Sequence, residues 1–237
     1  MGVFLQDSRS DYQDRRLLIM AETLKSSPKK LLDPKAALVL GGRTPAKTIP
    51  FLEDVVQQRV FDIVILGGTL GYTFLKAQGV KVGLSMVADM YLPVARNIMD
   101  AAKRNGVRVL LPVDHVASMK IEPDVTIKLV RRDEQIPDDM MGLDIGIDSI
   151  RLYCRYLKRS RLIAWHGPLG VSEIGSFSGG TLEIARQLAR SSAFVAVSGE
   201  SLLTNLRKRG YLQRIDYVAD NLETMRDKII ERMSEYE

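Results

Sequence analysis

The stretch Trp165-His166-Gly167-Pro168-Leu169-Gly170-Val171-Ser172-Glu173 follows directly on the apolar run Leu162-Ile163-Ala164. A short apolar run that breaks into Gly-Pro reads as a buried strand ending in a loop. In an open α/β sheet, ligands sit outside the carboxyl ends of such strands. The junction is therefore expected to build the fold and to border a site.

The same punctuation recurs along the chain. Ala36–Leu40 ends in Gly41-Gly42, Ile63–Leu66 in Gly67-Gly68, Val107–Val113 near Asp114-His115, and Phe194–Val197 in Ser198-Gly199. Continuous apolar runs of this length suit strands buried on both faces, as in a parallel sheet. Amphipathic stretches such as Met90 to Asn105 and Gly180 to Ser191 separate them. Strand–helix alternation predicts a doubly wound α/β domain, a mostly parallel six-stranded sheet with helices on both faces. Two regions depart from that rhythm. Met119 to Met141, holding Val125 to Val130, reads as a short strand or hairpin excursion. Asn221 to Tyr236 places Leu222, Met225, Ile229, Ile230 and Met233 on one helical face, with Asp220 as the expected N-cap.

The chain has 237 residues, 46% hydrophobic and 27% charged, with a net charge of +5. That suits a globular protein with a substantial core and favours anionic partners mildly. The single cysteine, Cys154, excludes an internal disulfide framework and reads as an inert thiol. No apolar run reaches the ~18–20 residues that span a bilayer. Met1–Asp7 lacks the basic-then-apolar pattern of a secretory signal, so the expected location is the cytoplasm, with no membrane partner. The two histidines, His115 and His166, have no sequence-local ligand cluster for a transition metal, and His115 is expected at a loop rim.

Three blocks together resemble the phosphoglycerate kinase family. Trp165 to Glu173 is similar to its Trp-Asn-Gly-Pro-Met-Gly-Val-Phe-Glu. Ile65 to Gly79 resembles its Gly-Gly-Gly-Met-Ala-Tyr-Thr-Phe-Leu block, and Met141-Gly142-Leu143-Asp144-Ile145-Gly146 its Met-Gly-Leu-Asp-Ile-Gly block. The resemblance runs from about Met20 to about Gly210. It implies the family's nucleotide-binding half over 36–237. The region 1–35 is then an extension with a helix, Asp11 to Leu24, like the family's interdomain helix. The half that holds phosphoglycerate in the family has no counterpart here.

Nucleotide binding needs backbone amides at helix starts and glycines that permit close approach. The resemblance implies an ADP or ATP site, possibly with Mg²⁺, at Gly41, Gly42, Gly67, Gly68, Leu70, His166, Gly167, Pro168, Glu173, Glu200 and Ser201. In that reading Glu173 holds the ribose hydroxyls and the base lies near Gly67, Gly68 and Leu70. Departures from the family pattern bear on catalysis. Its first loop, Gly-Gly-Ala-Lys-Val-Ser-Asp-Lys, is here Gly41-Gly42-Arg43-Thr44-Pro45-Ala46-Lys47-Thr48, so both lysines fall on threonines. Arg43 and Lys47, each one position earlier, are the candidate catalytic cations. Glu200 replaces the family's metal-associated Asp and is the candidate metal ligand and third catalytic candidate. The family's Thr-Gly-Gly-Gly-Ala-Ser becomes Tyr217 to Leu222, without glycine.

Phosphoryl transfer rests almost wholly on positioning and charge. The leading expectation is therefore a nucleotide-binding domain of this type with weakened or lost transfer. The alternatives are half of a split enzyme, completed by a protein supplying the other half, and a scaffold that keeps the fold without the ligand. Arg151, Arg155, Lys158 and Arg159 fall at i, i+4, i+7, i+8. They offer either a solvated basic face or a docking stripe for an acidic protein, with nucleic acid less favoured.

Overall fold

The computed structural model describes residues 35–131 and 133–235. The helix expected at Asp11 to Leu24, and all of the 1–35 extension except Lys35, lie outside the described residues.

In chain order the elements are β1 (Ala36–Leu40), α1 (Pro45–Gln57), β2 (Ile63–Leu66), α2 (Gly68–Ala77), α3 (Leu92–Asn105), β3 (Arg108–Leu110), β4 (His115–Ser118), β5 (Lys128–Val130) and β6 (Met141–Ile145). There follow α4 (Ile147–Leu157), β7 (Leu162–His166), α5 (Gly179–Leu188), β8 (Phe194–Ser198), α6 (Glu200–Lys208), β9 (Tyr217–Val218) and α7 (Leu222–Ser234). Six strands form one sheet in the order β3-β2-β1-β7-β8-β9. Every neighbouring pair in it is parallel.

The apolar strand runs are explained by burial on both sides. Along β1, Ala36, Leu38 and Leu40 pack into one cluster with Ile49, Leu70, Ala95 and Met225. Ala37 and Val39 point the other way, into a cluster with Tyr153, Ile184 and Leu202. Thus α1, α2, α3 and α7 cover one face and α4, α5 and α6 the other. The period of two along the strand divides one run of residues between two cores. Each fully buried Val, Leu or Ile contributes about 1.5–3 kcal/mol.

Several boundaries differ from the sequence expectation. The sixth strand, β9, is two residues of the Tyr217 to Leu222 segment that replaces the family's glycine loop. It is an edge strand too short and too exposed to show an apolar run. The excursion before α4 is a separate three-stranded antiparallel sheet in the order β5-β4-β6, and only Lys128–Val130 of Val125 to Val130 is strand. The cap of α7 is Asn221, not Asp220. Its side chain accepts from the Thr224 amide at 2.8 Å, and the Thr224 hydroxyl accepts from the Asn221 amide at 3.2 Å. Leu222, Met225 and Ile229 are buried, but Ile230 is 42% exposed.

His115 is not at a rim. It is buried in β4 with its ring 5.4 Å from that of Tyr72. The basic stripe is also shorter as a helical face. α4 ends at Leu157, Lys158 and Arg159 lie in the following turn, and Arg151 is 3.5 Å from Asp148 in the preceding turn. Cys154 is half-buried, and burial pushes its thiol pKa up, as an inert thiol requires. Among the described residues no helix is long and apolar enough to cross a membrane.

Candidate functional site

The strand order fixes where a ligand can approach. From β1 the chain runs outward through β2 to β3, and from β7 outward through β8 to β9. The direction reverses between β1 and β7, and a crevice opens outside the carboxyl ends of the strands at such a switch point. Leu40 ends β1 beside His166, and His166 lies beside Ser198 at the end of β8.

Directly over this switch point the loops lock together through their backbones. The Gly41 amide donates to the His166 carbonyl at 2.8 Å and the Gly42 amide to the Pro168 carbonyl at 2.7 Å. The amides of Gly68 and Thr69 donate to the carbonyls of Leu169 (3.0 Å) and Gly42 (3.2 Å). The fully buried Trp165 donates its indole N–H to the Gly167 carbonyl at 2.9 Å. A Cβ on Gly41 would stand 2.0 Å from the Pro168 oxygen, and one on Gly67 2.5 Å from Leu169. Loop-against-loop packing therefore demands these glycines in the first place.

That packing sorts the sequence candidates. Gly41, Gly67, Gly167 and Pro168 are buried in the junction. Leu70 is fully buried in the core beneath α2. In this conformation it presents no surface to a base. Gly42, Gly68, His166 and Ser201 are half-buried, while Arg43, Lys47, Glu173 and Glu200 are exposed. Of the two threonines in the first loop, Thr44 is exposed. Thr48 is fully buried, with its hydroxyl donating back to the Thr44 carbonyl at 3.1 Å.

Helix starts are anion sites only where their amides are free. Most here are closed. The first two amides of α2 are spent on the neighbouring loops, as above. Asp114 accepts from the amides of Asp148 and Ser149 at the start of α4 (2.9 and 2.8 Å), and Asp144 from Gly180 at the start of α5 (2.8 Å). α7 carries its own capping box. By contrast α1, following β1, and α6, following β8, have no side-chain cap hydrogen bond, although in α1 Pro45 lacks an N–H and the Lys47 and Thr48 amides donate to the Thr44 carbonyl. Arg43 and Lys47 belong to the start of α1, Glu200 and Ser201 to the start of α6.

His166 sits between them. Its Nδ1 is 2.9 Å from the Ser198 hydroxyl. Burial holds its pKa below 6.5; the Glu223 carboxylate acts upward and the Lys47 ammonium downward. These opposing charges place Lys47 and Glu223 within electrostatic reach of the imidazole. On the far side, the Ser201 hydroxyl donates to Glu173 Oε1 at 3.0 Å, and Asn205 Nδ2 donates to the Ser172 hydroxyl at 2.9 Å. The structure thus joins Glu173 to Ser201 although 28 residues separate them. It also adds Ser172, Asn205 and Glu223 to the neighbourhood. Ser172 lies within the opening stretch, whereas Asn205 and Glu223 are revealed only by contact between distant elements, and no local sequence signal marks them.

Among the described residues no group of three His, Cys, Asp or Glu could hold a metal ion. Glu200 alone suits Mg²⁺ only if phosphate oxygens complete the shell, the usual arrangement for this ion with nucleotides.

The sequence model of the family described as phosphoglycerate kinase matches residues 18–222. Phosphoglycerate kinase of Finegoldia magna is 32% identical over 196 residues, covering 81% of this chain and 49% of the relative. That of Aquifex aeolicus is 36% identical over 181 residues, covering 76% and 45%. The solved structure of phosphoglycerate kinase from Coxiella burnetii superposes with a TM-score of 0.76 at 28% identity, covering 90% of this chain and 54% of that one. The chain belongs to the phosphoglycerate kinase family and spans about half the length of these relatives.

Proposed function

We propose, taking membership of that family as the premise, that the chain binds an adenine nucleotide, ADP or ATP, as its magnesium complex, and that phosphoryl transfer by this chain is weakened or lost. The observation that carries the binding reading is the uncapped start of α1 at the switch point between β1 and β7, with Arg43 and Lys47 exposed upon it. Pro45 has no N–H and the Lys47 and Thr48 amides donate to the Thr44 carbonyl, so the positive helix end and the two cations are what favour phosphate there. The Glu173–Ser201 pair at the start of α6 offers a carboxylate for ribose hydroxyls. In this reading Glu200 would hold Mg²⁺, which would supply positive charge to offset that of the phosphates. Arg43, Lys47 and the neutral His166 orient the phosphates.

Weak transfer is supported by two features. Thr48 is buried where the family pattern has a lysine. The start of α7, in place of the family's last glycine loop, spends its amides on Asn221 and Thr224. Neither leaves a positioned donor for charge developing on a moving phosphoryl group.

Calorimetric titration of the chain with Mg-ADP and Mg-ATP tests the reading. Micromolar affinity, about −8 kcal/mol, supports it. Absence of binding at millimolar nucleotide overturns it and selects a protein that keeps the fold without the ligand. Robust turnover of ADP and 1,3-bisphosphoglycerate by the chain alone overturns the second half of the proposal.

A further inference from the structure

One family block, Met141 to Gly146, contributes no residue to the site described above. Its strand, β6, lies in the antiparallel sheet, where Asp144 pairs with Val116 of β4. The Asp144 side chain is 1% exposed, and a carboxylate is costly to bury unless donors meet it. Two amides do: that of Ile145 at 2.9 Å on one oxygen and that of Gly180 at 2.8 Å on the other. Gly180 is the second residue of α5, so the carboxylate also meets a positive helix end.

The loop between β7 and α5, which carries Glu173, wraps around this group. Gly170 is its near end, and a Cβ there would stand 2.4 Å from Asp144 Oδ1. Gly180 is its far end, and a Cβ there would stand 2.6 Å from the same oxygen. The Val171 amide donates to the Leu143 carbonyl at 2.8 Å, extending β6 into the loop. The Leu169 amide donates to the Thr181 hydroxyl at 3.0 Å and draws the two ends together. Burial raises the Asp144 pKa to about 7, opposed by the backbone hydrogen bonds from Gly180, Ile145 and Gly179, consistent with a group placed for structure at some electrostatic cost.

We propose that Asp144 is a positioning residue for Glu173: from the second sheet it accepts a hydrogen bond from the far end of the loop spanning 170–180, packs against its near end, and so fixes where the Glu173 carboxylate stands. The three-stranded sheet is then the buttress of the site's ribose side. The consequence for affinity rests on the nucleotide reading; the tether itself does not.

Two variants attack the contact from opposite sides. Asp144→Asn keeps the shape but can accept from only one of the two amides. Gly170→Ala pushes a methyl against the carboxylate from the loop. Hydrogen exchange followed by mass spectrometry, without ligand, should show residues 169–181 exchanging at least about tenfold faster in both variants, while β1, β7 and β8 keep their protection. Unchanged exchange in 169–181 overturns the tether. So does acceleration of all segments together, or loss of the cooperative unfolding transition, because Asp144 is then a support of the whole fold. With Mg-ADP, both variants should bind about tenfold or more weakly. Asp144→Asn should add less than about twofold to Glu173→Ala, since both act through one carboxylate. A loosened loop with unchanged or fully additive affinity overturns the positioning of Glu173. If the unaltered chain binds no Mg-ADP, the nucleotide reading falls and the exchange data alone decide the tether.

Discussion

The amide of Gly42 donates to the carbonyl oxygen of Pro168 at 2.7 Å, bridging β1 and β7 where the sheet changes direction. The neighbouring Gly41 brings its Cα so close that a Cβ would lie 2.0 Å from that same oxygen. Gly41→Ala is therefore expected to lower stability by about 3 kcal/mol, the upper range for overpacking. Gly175→Ala, where a Cβ meets nothing within 4 Å, should stay within about 0.5 kcal/mol. Urea denaturation of the two variants checks the contrast.

Glu173 is exposed and receives the Ser201 hydroxyl. A charge-assisted hydrogen bond contributes about 1.5–3 kcal/mol, so Glu173→Ala should weaken Mg-ADP binding roughly ten- to hundredfold. Its unfolding midpoint should barely move, because the lost hydroxyl contact is at the surface. Calorimetry paired with thermal unfolding measures both; unchanged affinity would show the acid to be unused.

Asn221→Ala should cost about 1 kcal/mol, the usual loss for an N-cap. The side chain removed accepts the Thr224 amide at 2.8 Å and belongs to a complete capping box. Asp220→Ala, outside that box, should be nearly neutral. Comparing their chemical denaturation curves separates the structural cap from the one expected by sequence.

The raised pKa of Asp144, about 7 against 3.8 in an unfolded chain, has a definite sign. The native state holds this proton more tightly than the unfolded state does. Its contribution to stability is full below about pH 4 and is lost as pH rises through about 7. The loss is on the order of 4 kcal/mol at most. Stability of the native chain should therefore carry a downward trend from pH 5 to 7.5 that Asp144→Asn lacks. The stability difference between the two proteins is therefore expected to change by about 2–3 kcal/mol across that window. A gap independent of pH would show that Asp144 does not titrate in this window.

His166 is held below 6.5 by burial, with Glu223 acting upward and Lys47 downward, so it is neutral at pH 7. Phosphate arriving beside it favours the imidazolium. Nucleotide binding should then take up protons, and affinity should rise as pH falls below neutrality. Titrations at pH 6 in two buffers of different ionisation heat count the protons. His166→Gln should abolish the uptake, and uptake that survives the substitution would place the titrating group elsewhere.

The sequence by itself determined the parallel sheet, both of its cores and the end at which the candidate site lies. Runs such as Ala36–Leu40 admit no solvated face, and each breaks into glycine at its carboxyl end. It also marked the loops carrying Arg43, Lys47, Glu173 and Glu200, through long blocks shared with one family. Tertiary structure alone decided which of those residues reach the surface. Leu70 and Thr48 look as available in sequence as Lys47, yet they turn inward, because the helices present one face to the core. It alone paired Glu173 with Ser201, placed Glu223 near His166 and set Asp144 against Gly170 and Gly180. Such contacts join residues tens of positions apart through strand order, and local pattern encodes periodicity and turns but not which loops meet.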